Sequence, residues 1–290
     1  MKAPPFEWHR PASVSQAVAI LAEVAPQDGR VLAGGQSLLP AMALRVARPP
    51  HLVDINGIAT LSTLGVEAGS LRIGATVRHA AFQLAAEPGV VGALMARVVR
   101  HIAHWPIRNR GTFCGSLCHA DHASEWALVS VVLGAEMALL SIHGERRLPA
   151  AAFLRGPLET ALAADELLSG VTVKLLPPDS RFGFEEVSRR AGDFAQAMAL
   201  AVFRLDAQGR ITDPRIGVGG VEPVARRLPE VEALVAGRVP STALFAEAGQ
   251  QAAATVDPME DAPYRRALVR AVVARALAQA AASAPEARAA

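Results

Sequence analysis

Two glycine-rich stretches carry the residues best suited to binding a charged ligand. The first reads V-L-A-G-G-Q-S-L-L-P over residues 31–40. Adjacent glycines permit positive φ and let a ligand approach the bare backbone, while Gln36 and Ser37 add side-chain donors. A concave set of backbone N–H groups of this kind binds anions, phosphate above all. The simpler interpretation is a tight turn that follows a buried strand over residues 31–33.

The second stretch, residues 107–126, offers the same chemistry and reads I-R-N-R-G-T-F-C-G-S-L-C-H-A-D-H-A-S-E-W. Gly111, Thr112, Gly115 and Ser116 combine flexible backbone with hydroxyl donors, and Asp121 and Glu125 follow as acceptors for ribose hydroxyls. Both acidic residues also fit the start of a helix expected at Ser124. Neither stretch is a Walker loop or a G-x-G-x-x-G fingerprint. The pair therefore predicts one long ligand that is held from two sides.

The two cysteines, Cys114 and Cys118, both lie in the second stretch. An iron–sulfur cluster needs about four thiolates, so this chain alone is not expected to hold one. A zinc site would need His119 or His122 as well, and Cys-x3-Cys-His is not a usual zinc spacing. We predict reduced, packed cysteines, with no metal and no catalytic side chain in this chain.

Composition excludes several classes of protein. The chain has 290 residues, of which 51% are apolar and 19% charged, enough for a large core and for two domains. A net charge of +2 gives no basic excess for nucleic acid. The sequence has no apolar run of about 18 residues, so no membrane span is expected. The first residues lack an apolar signal core, so a cytoplasmic location is expected.

The surrounding pattern predicts an α+β fold. Helices are expected after a capping box at Ser13–Gln16 and later in the chain, at 14–24, 38–44, 78–86, 90–104, 124–133, 241–255 and 262–282. Trp105 and Pro106 are expected to end the helix over 90–104. Strands are expected at 31–33, 52–55, 71–77, 136–142, 145–148, 167–175, 182–189, 195–205 and 211–221. Pro177 and Pro178 predict a linker between two domains.

The chain resembles the FAD-binding medium subunits of the molybdenum hydroxylases, which include carbon monoxide dehydrogenase, and the flavin domain of xanthine dehydrogenase. The resemblance rests on both glycine-rich stretches and on five shorter matches, L-V-D-I at 52–55, I-G-A at 73–75, S-R-R-x-G-D-F-A at 188–195, G-V-G-G-V at 217–221 and Y-R-R at 264–266. It implies a two-lobed FAD-binding domain of the vanillyl-alcohol-oxidase-like (PCMH) type over 1–176, with lobes of about 1–56 and 57–176. A smaller α+β C-terminal domain over 180–284, with a sheet packed by helices, and a frayed tail over 285–290 complete the prediction.

The resemblance also implies which residues bind FAD. Residues on one side of the pyrophosphate are Leu32, Ala33, Gly34, Gly35, Gln36 and Ser37, and those on the other are Thr112, Phe113, Cys114, Gly115 and Ser116. Glu125, with help from Asp121, is expected to bind the sugar-like chain of the flavin. The remaining expected contacts are Leu38, Leu39, Ile102, Leu168 and Glu185, the last at a position where xanthine dehydrogenase relatives have lysine. Arg189, Arg190 and Asp193 are expected to form ion pairs between the domains.

Two departures from the family pattern stand in the second stretch. Cys114 replaces a glycine, and we expect its thiol either to ionise beside the pyrophosphate and react faster than Cys118, or simply to pack in the core. His122 and Trp126 replace smaller residues and are expected to reshape the flavin surroundings or a partner surface.

The function implied by the resemblance is electron transfer. The chain would carry FAD within a heterotrimeric complex, together with a small subunit holding two [2Fe–2S] clusters and a large molybdopterin subunit, as a dimer of heterotrimers. Electrons would leave its FAD for an external acceptor such as NAD, a quinone, a cytochrome or oxygen. The alternatives are a scaffold subunit that has lost FAD and a stand-alone FAD oxidase.

Overall fold

The computed structural model describes residues 2–283 and contains three main sheets. The first sheet is small and parallel, with the strand order β1-β3-β2. Its elements in chain order are β1 (Glu7–His9), α1 (Val14–Val24), β2 (Arg30–Leu32), α2 (Leu38–Ala43) and β3 (His51–Asp54). Helix α1 begins at the predicted cap, because the Ser13 hydroxyl accepts the N–H of Gln16 at 3.1 Å. It packs on the sheet through Val18, Leu21 and their buried neighbours.

The second sheet is antiparallel and has the order β4-β5-β10-β6-β7. Its strands, with a small intervening hairpin, are β4 (Leu64–Glu67), β5 (Ser70–Gly74), β6 (Glu136–Ser141), β7 (Gly144–Pro149), β8 (Leu154–Gly156), β9 (Glu159–Thr160) and β10 (Leu167–Lys174). The helices of this part are α3 (Val90–Val98), α4 (Trp105–Arg108), α5 (Phe113–His119), α6 (Glu125–Leu133) and α7 (Ala150–Phe153). Single turns of 3₁₀ helix occur at Ala25–Gln27, Ala59–Ser62 and His79–Phe82. All nine residues of α6 are buried, so this helix forms the centre of the second part.

The third sheet is antiparallel and follows its strands in chain order. Its elements are β11 (Arg181–Ser188), β12 (Ala195–Leu205), β13 (Ile211–Gly219), β14 (Arg226–Arg227), α8 (Pro229–Val235), α9 (Thr242–Thr255) and α10 (Ala262–Ala282). Strand β12 is buried on both faces. Ala199, Ala201 and Phe203 pack with the helices, whereas Met198, Leu200 and Val202 join the core of the second part. A single core therefore connects the third sheet to the second part.

The α+β class, with a larger first part followed by a smaller sheet-and-helix part, is confirmed. The helix predicted over 78–86 is wrong, because only one 3₁₀ turn forms at His79–Phe82. The next helix ends at Val98 rather than His104. Trp105 and Pro106 begin α4 instead of ending a helix, since proline fits the first turn of a helix, where its missing N–H is not needed.

Within residues 2–283, no helix is both long and apolar enough to cross a membrane.

Candidate cofactor site

A large open cavity of about 1120 Å³ separates the first sheet from the second part of the molecule. We call it the cofactor cavity. Among the segments that line it are residues 33–38 (the first glycine loop), 111–116 (the second glycine loop), 158–168, and 192–194 at the start of the third sheet. Of the residues expected to bind FAD, those in the wall are Leu32, Ala33, Gly34, Gly35, Gln36, Ser37, Leu38, Ile102, Thr112, Cys114, Gly115, Ser116, Asp121, Glu125 and Leu168.

The first glycine loop presents unused backbone donors to the cavity. Among the described residues, no protein group accepts a hydrogen bond from the backbone N–H groups of residues 33–38. Gly35 has φ +71°, a conformation that side-chain-bearing residues rarely adopt. A run of six backbone donors without acceptors in the described residues suits an anion. A bound anion would supply the acceptors that buried N–H groups need.

The two glycine loops touch one another directly. A Cβ on Gly34 would lie 2.5 Å from the carbonyl oxygen of Arg110, so only glycine permits this approach. The Asn56 amide donates to the carbonyl of Ala33 at 2.8 Å. Arg78 donates to Asn56 Oδ1 at 2.6 Å and also to the Arg110 carbonyl. Asn56 and Arg78 thus tie both loops together, and the sequence analysis did not single out either residue.

The second glycine loop leads into α5 and α6 through hydroxyl contacts. Thr112 Oγ1 accepts the N–H of Gly115 at 3.0 Å. Ser116 Oγ lies 2.9 Å from Ser124 Oγ, and Ser124 caps α6. The Asp121 carboxylate accepts the N–H of Ala123 at 2.8 Å. Ser124, rather than Asp121 or Glu125, is therefore the N-cap, which leaves Glu125 facing the cavity from the first turn of α6.

Two buried carboxyl groups lie close together behind this wall. Burial, with a further contribution from Asp121, raises the pKa of Glu125 to about 7. Burial, with a further contribution from Glu125, raises the pKa of Glu186 to about 8. Oε2 of Glu186 has no hydrogen-bond partner among the described residues, and the nearest basic atom, His101 Nδ1, is 3.9 Å away. Glu186 is therefore mainly protonated at neutral pH, and Glu125 loses its proton near pH 7.

Leu39, Phe113 and Glu185 lie outside the wall of the cavity, in contrast to their predicted positions. Leu39 lies on α2 and is 38% exposed. Glu185 points to α10, where it pairs with Arg275 at 3.2 Å and accepts from Gln279 at 2.7 Å. Side chains alternate along a strand, so the next residue of β11, Glu186, faces the second part of the molecule, where His101 lies 3.9 Å away.

Phe113 belongs to an aromatic cluster beneath the second glycine loop. Its ring packs 4.9 Å from Trp126 and 5.6 Å from Phe82, measured between ring centroids. The Trp126 indole donates to His79 Nδ1 at 2.9 Å. Burial, with Arg78 and Arg108 nearby, lowers the pKa of His79 to about 4, so this imidazole is neutral. Trp126 is fully buried, and the expectation that it forms part of a partner surface is wrong.

The expectation of a reactive thiolate at Cys114 is also wrong. Its sulfur lies against backbone carbonyls, 3.7 Å from that of Gly74 and 3.9 Å from that of Ile73. Burial raises the pKa of the Cys114 thiol well above its ordinary value, and it raises the pKa of Cys118 to about 12. The packing alternative fits instead, and the Cβ that replaces the family glycine is accommodated in the core.

The segment over 189–194 reaches the cavity from the third sheet. Gly192, Asp193 and Phe194 line the wall, and the Phe194 ring is 74% exposed. Gly192 has φ +83°, and a Cβ there would meet the His104 ring at 2.5 Å. Among the described residues, Arg189, Arg190 and Asp193 form no ion pair, which contradicts the predicted link between domains. Close glycine packing sets the position of this segment.

Comparison with known proteins agrees with this geometry. The model of the FAD binding domain in molybdopterin dehydrogenase matches residues 4–175, and that of the CO dehydrogenase flavoprotein C-terminal domain matches residues 182–280. The chain is 36% identical to the nicotine 6-hydroxylase medium subunit of Paenarthrobacter nicotinovorans, over 97% of this chain and 99% of that one. It is 33% identical to the carbon monoxide dehydrogenase medium chain of Hydrogenophaga pseudoflava, over 94% and 96% of the two chains. The structure of quinoline 2-oxidoreductase from Pseudomonas putida 86 superposes with a TM-score of 0.91 and 34% identity, covering 97% of this chain and 98% of that one.

Proposed function

Because this chain belongs to the FAD-binding medium subunits of the molybdenum hydroxylase family, we propose that it holds FAD in the cofactor cavity and passes electrons from a partner to an external acceptor. The observation that carries this proposal is the row of six backbone N–H groups over residues 33–38, beside the second glycine loop, which have no acceptor in the part of the chain that the structure describes. FAD itself supplies the redox chemistry, and the protein supplies binding, orientation and electrostatic tuning.

The pyrophosphate is the part of FAD that these loops would bind. It carries two negative charges, and backbone N–H groups stabilise such charges without a counter-ion. Thr112 and Ser116 add hydroxyl groups from the facing loop, although each already has a protein partner. Asn56 and Arg78 hold the two loops at a fixed separation before the ligand arrives. This pre-organisation reduces the entropy lost on binding.

The remaining wall supports the other parts of a dinucleotide. Asp121 and Glu125 would accept hydrogen bonds from hydroxyl groups of the ribose or the sugar-like chain. Ile102 and Leu168 give apolar contact, and Phe194 offers an exposed ring to a planar group. We assign the binding of FAD to the fifteen predicted residues of the wall, together with Phe194. The positions of Leu39, Phe113 and Glu185 do not support a direct contact by their side chains.

The electrons would come from other subunits. The relatives named above are a medium subunit and a medium chain of larger enzymes, and this chain has only two cysteines, whose thiol pKa values are both raised by desolvation. We therefore propose a small partner with two [2Fe–2S] clusters and a large partner with molybdopterin, assembled as a dimer of heterotrimers. Hydroxylation of the substrate would take place on the large partner, and this chain would have no catalytic residue for that step.

Substituting Gly35 by valine tests the cofactor site. The Cβ would lie 2.9 Å from Leu39 Cδ1, and the larger side chain would crowd the row of donors. We expect purified Gly35→Val to lose most of the flavin absorption, which lies near ~450 nm for bound FAD. Gly209→Val is the matched control, because Gly209 has φ +73° in an open turn with nothing within 4 Å of a Cβ. It imposes the same backbone strain away from the cavity and is expected to keep its FAD.

Three outcomes would contradict the assignment. A folded Gly35→Val protein with full FAD content would remove the first glycine loop from the site. Equal loss of FAD in both glycine variants would show that the loss comes from general destabilisation of the fold and not from the first glycine loop. Wild-type protein that neither contains nor takes up FAD would support the scaffold alternative, which the packed thiol of Cys114 does not favour.

A further inference from the structure

Two histidines and a glutamate meet on the first sheet, and none of the three lines the cofactor cavity. Glu7 and His9 are two residues apart on β1, so they project from the same face of the strand. The parallel register places His51 of β3 opposite Glu7. Three metal-binding side chains are thus brought together by the pairing of two short strands.

The distances among the three side chains suit a tetrahedral ion. His9 Nε2 lies 3.1 Å from His51 Nδ1, and His51 Nδ1 lies 3.4 Å from Glu7 Oε2. All three ligand atoms are within 4.8 Å of one another. Ligands bound tetrahedrally to Zn²⁺ at about 2.0–2.2 Å stand roughly 3.3–3.5 Å apart. Two of the three separations therefore already approach those of a bound ion.

A fourth residue orients the central histidine. His51 Nε2 faces Gln27 Oε1 at 3.4 Å. An amide oxygen accepts a hydrogen bond but does not donate one, so an ion bound by the Nδ1 lone pair would leave the Nε2–H of His51 free to donate to Gln27. Histidines that bind metals commonly have their second nitrogen fixed in this way.

We propose that Glu7, His9 and His51 form a binding site for Zn²⁺ or a similar late-transition divalent ion. Imidazole nitrogen with a single carboxylate suits this class of ion, whereas Mg²⁺ and Ca²⁺ prefer oxygen ligands. Three protein ligands leave a fourth position for water. The Glu7 side chain is 66% exposed and that of His51 is 15% exposed. An ion would therefore reach the site from solvent on the Glu7 side and bind next to the largely covered His51 ring. The ion would link the three-residue strand β1 to β3.

The experiment uses the full chain with FAD bound, without a histidine tag and after treatment with a chelator. Equilibrium dialysis against Zn²⁺ is expected to load one ion per chain. His9→Gln and Glu7→Gln are expected to weaken this binding by at least about tenfold, in line with the loss of a ligand. Zn²⁺ should raise the midpoint of thermal unfolding of the wild type and not of these variants, because an ion that binds only the folded state stabilises it.

The matched control is His143→Gln, since His143 is an exposed histidine in the β6–β7 turn. It is expected to bind Zn²⁺ as the wild type does, and Mg²⁺ should produce no thermal shift in any protein. X-ray absorption of the wild-type zinc complex should show nitrogen and oxygen neighbours, which tests the site even if a variant misfolds. Sulfur neighbours, an absence of binding, or unchanged binding in both His9→Gln and Glu7→Gln would overturn the proposal.

Discussion

Within residues 2–283, Glu186 has a buried carboxyl oxygen without a hydrogen-bond partner, and this group couples stability to pH. Burial, with Glu125 nearby, raises the pKa of Glu186 to about 8 from an ordinary value of 4.5. The folded chain therefore binds more protons than the unfolded chain between these two values. The stabilisation that comes from protonated Glu186 is fully present below the ordinary pKa of 4.5. It decreases as the pH rises above that value and is lost once the pH passes the folded pKa of about 8.

Replacing Glu186 by glutamine removes this proton linkage. Between pH 6.5 and 8.5, we expect the free energy of unfolding of the wild type to fall by ~2 kcal/mol or more, and that of Glu186→Gln to fall less. The residual slope comes from Glu125, whose pKa burial raises to about 7. His79 and His101, whose pKa values are lowered from 6.5 by burial, contribute an opposing slope only at the lower end of this range, where their unfolded forms lose the last protons.

Denaturant unfolding at several pH values measures this effect. Glu185→Gln is the control, because the neighbouring carboxylate pairs with Arg275 on the other face of β11. It is expected to retain the slope of the wild type. Identical slopes in the wild type and Glu186→Gln would show that the Glu186 carboxyl group is not protonated in the folded chain.

At the scale of elements, the separation of the two glycine loops depends on two side chains, Asn56 and Arg78, that lie in neither loop. Asn56 follows β3 and donates to the carbonyl of Ala33, and Arg78 joins Asn56 to the second glycine loop. We expect Asn56→Ala to weaken FAD binding by about tenfold, because it removes hydrogen bonds that are each worth about 1 kcal/mol. Asn109→Ala is the control, since that side chain neither lines the cavity nor forms a hydrogen bond within residues 2–283.

Fluorescence titration of the two asparagine variants with FAD would compare their affinities. Equal affinity in Asn56→Ala and wild type would show that the loops keep their separation without the hydrogen bonds of Asn56. Weakening in both variants would indicate that the change is not specific to this contact.

Elements with strong local signals were predictable from the sequence, and contacts between distant segments were not. The cap at Ser13 and the apolar run of β12 correspond to local hydrogen bonding and burial, and both appear where the pattern placed them. Strand β1 has only three residues and two exposed side chains, so it carries no periodic signal. The boundary near residues 177–180 remains a prediction.

The candidate site shows the same division between local and distant information. Both glycine loops follow from residue types, since positive φ and close approach require glycine. The register of β11 does not, because a one-residue shift exchanges the faces to which Glu185 and Glu186 point. The place of Phe194 in the cavity wall depends on packing between Gly192 and His104, which lie far apart in sequence.

At the scale of the whole molecule, the third sheet and the second part share one apolar core. Leu200 and Val202 of β12 pack within the same cluster as Leu128 and Val132 of α6. A Cβ on Gly217 would lie 2.5 Å from a methyl carbon of Val132, so the sheet approaches the helix as closely as glycine permits. This close packing suggests that the segment over 192–194 is carried on a rigid support rather than a separate mobile domain.

The isolated chain is expected to accept electrons but not to take them from the substrate of the complex. Its two cysteines are too few for an iron–sulfur cluster, and in our proposal the substrate binds on the large partner. A compound that bleaches the flavin of the complete complex under anaerobic conditions should leave the flavin of the lone chain oxidised, while dithionite should reduce both. Adding the two purified partners should restore bleaching. Bleaching of the lone chain at a rate comparable to that of the complex would instead favour a stand-alone FAD oxidase.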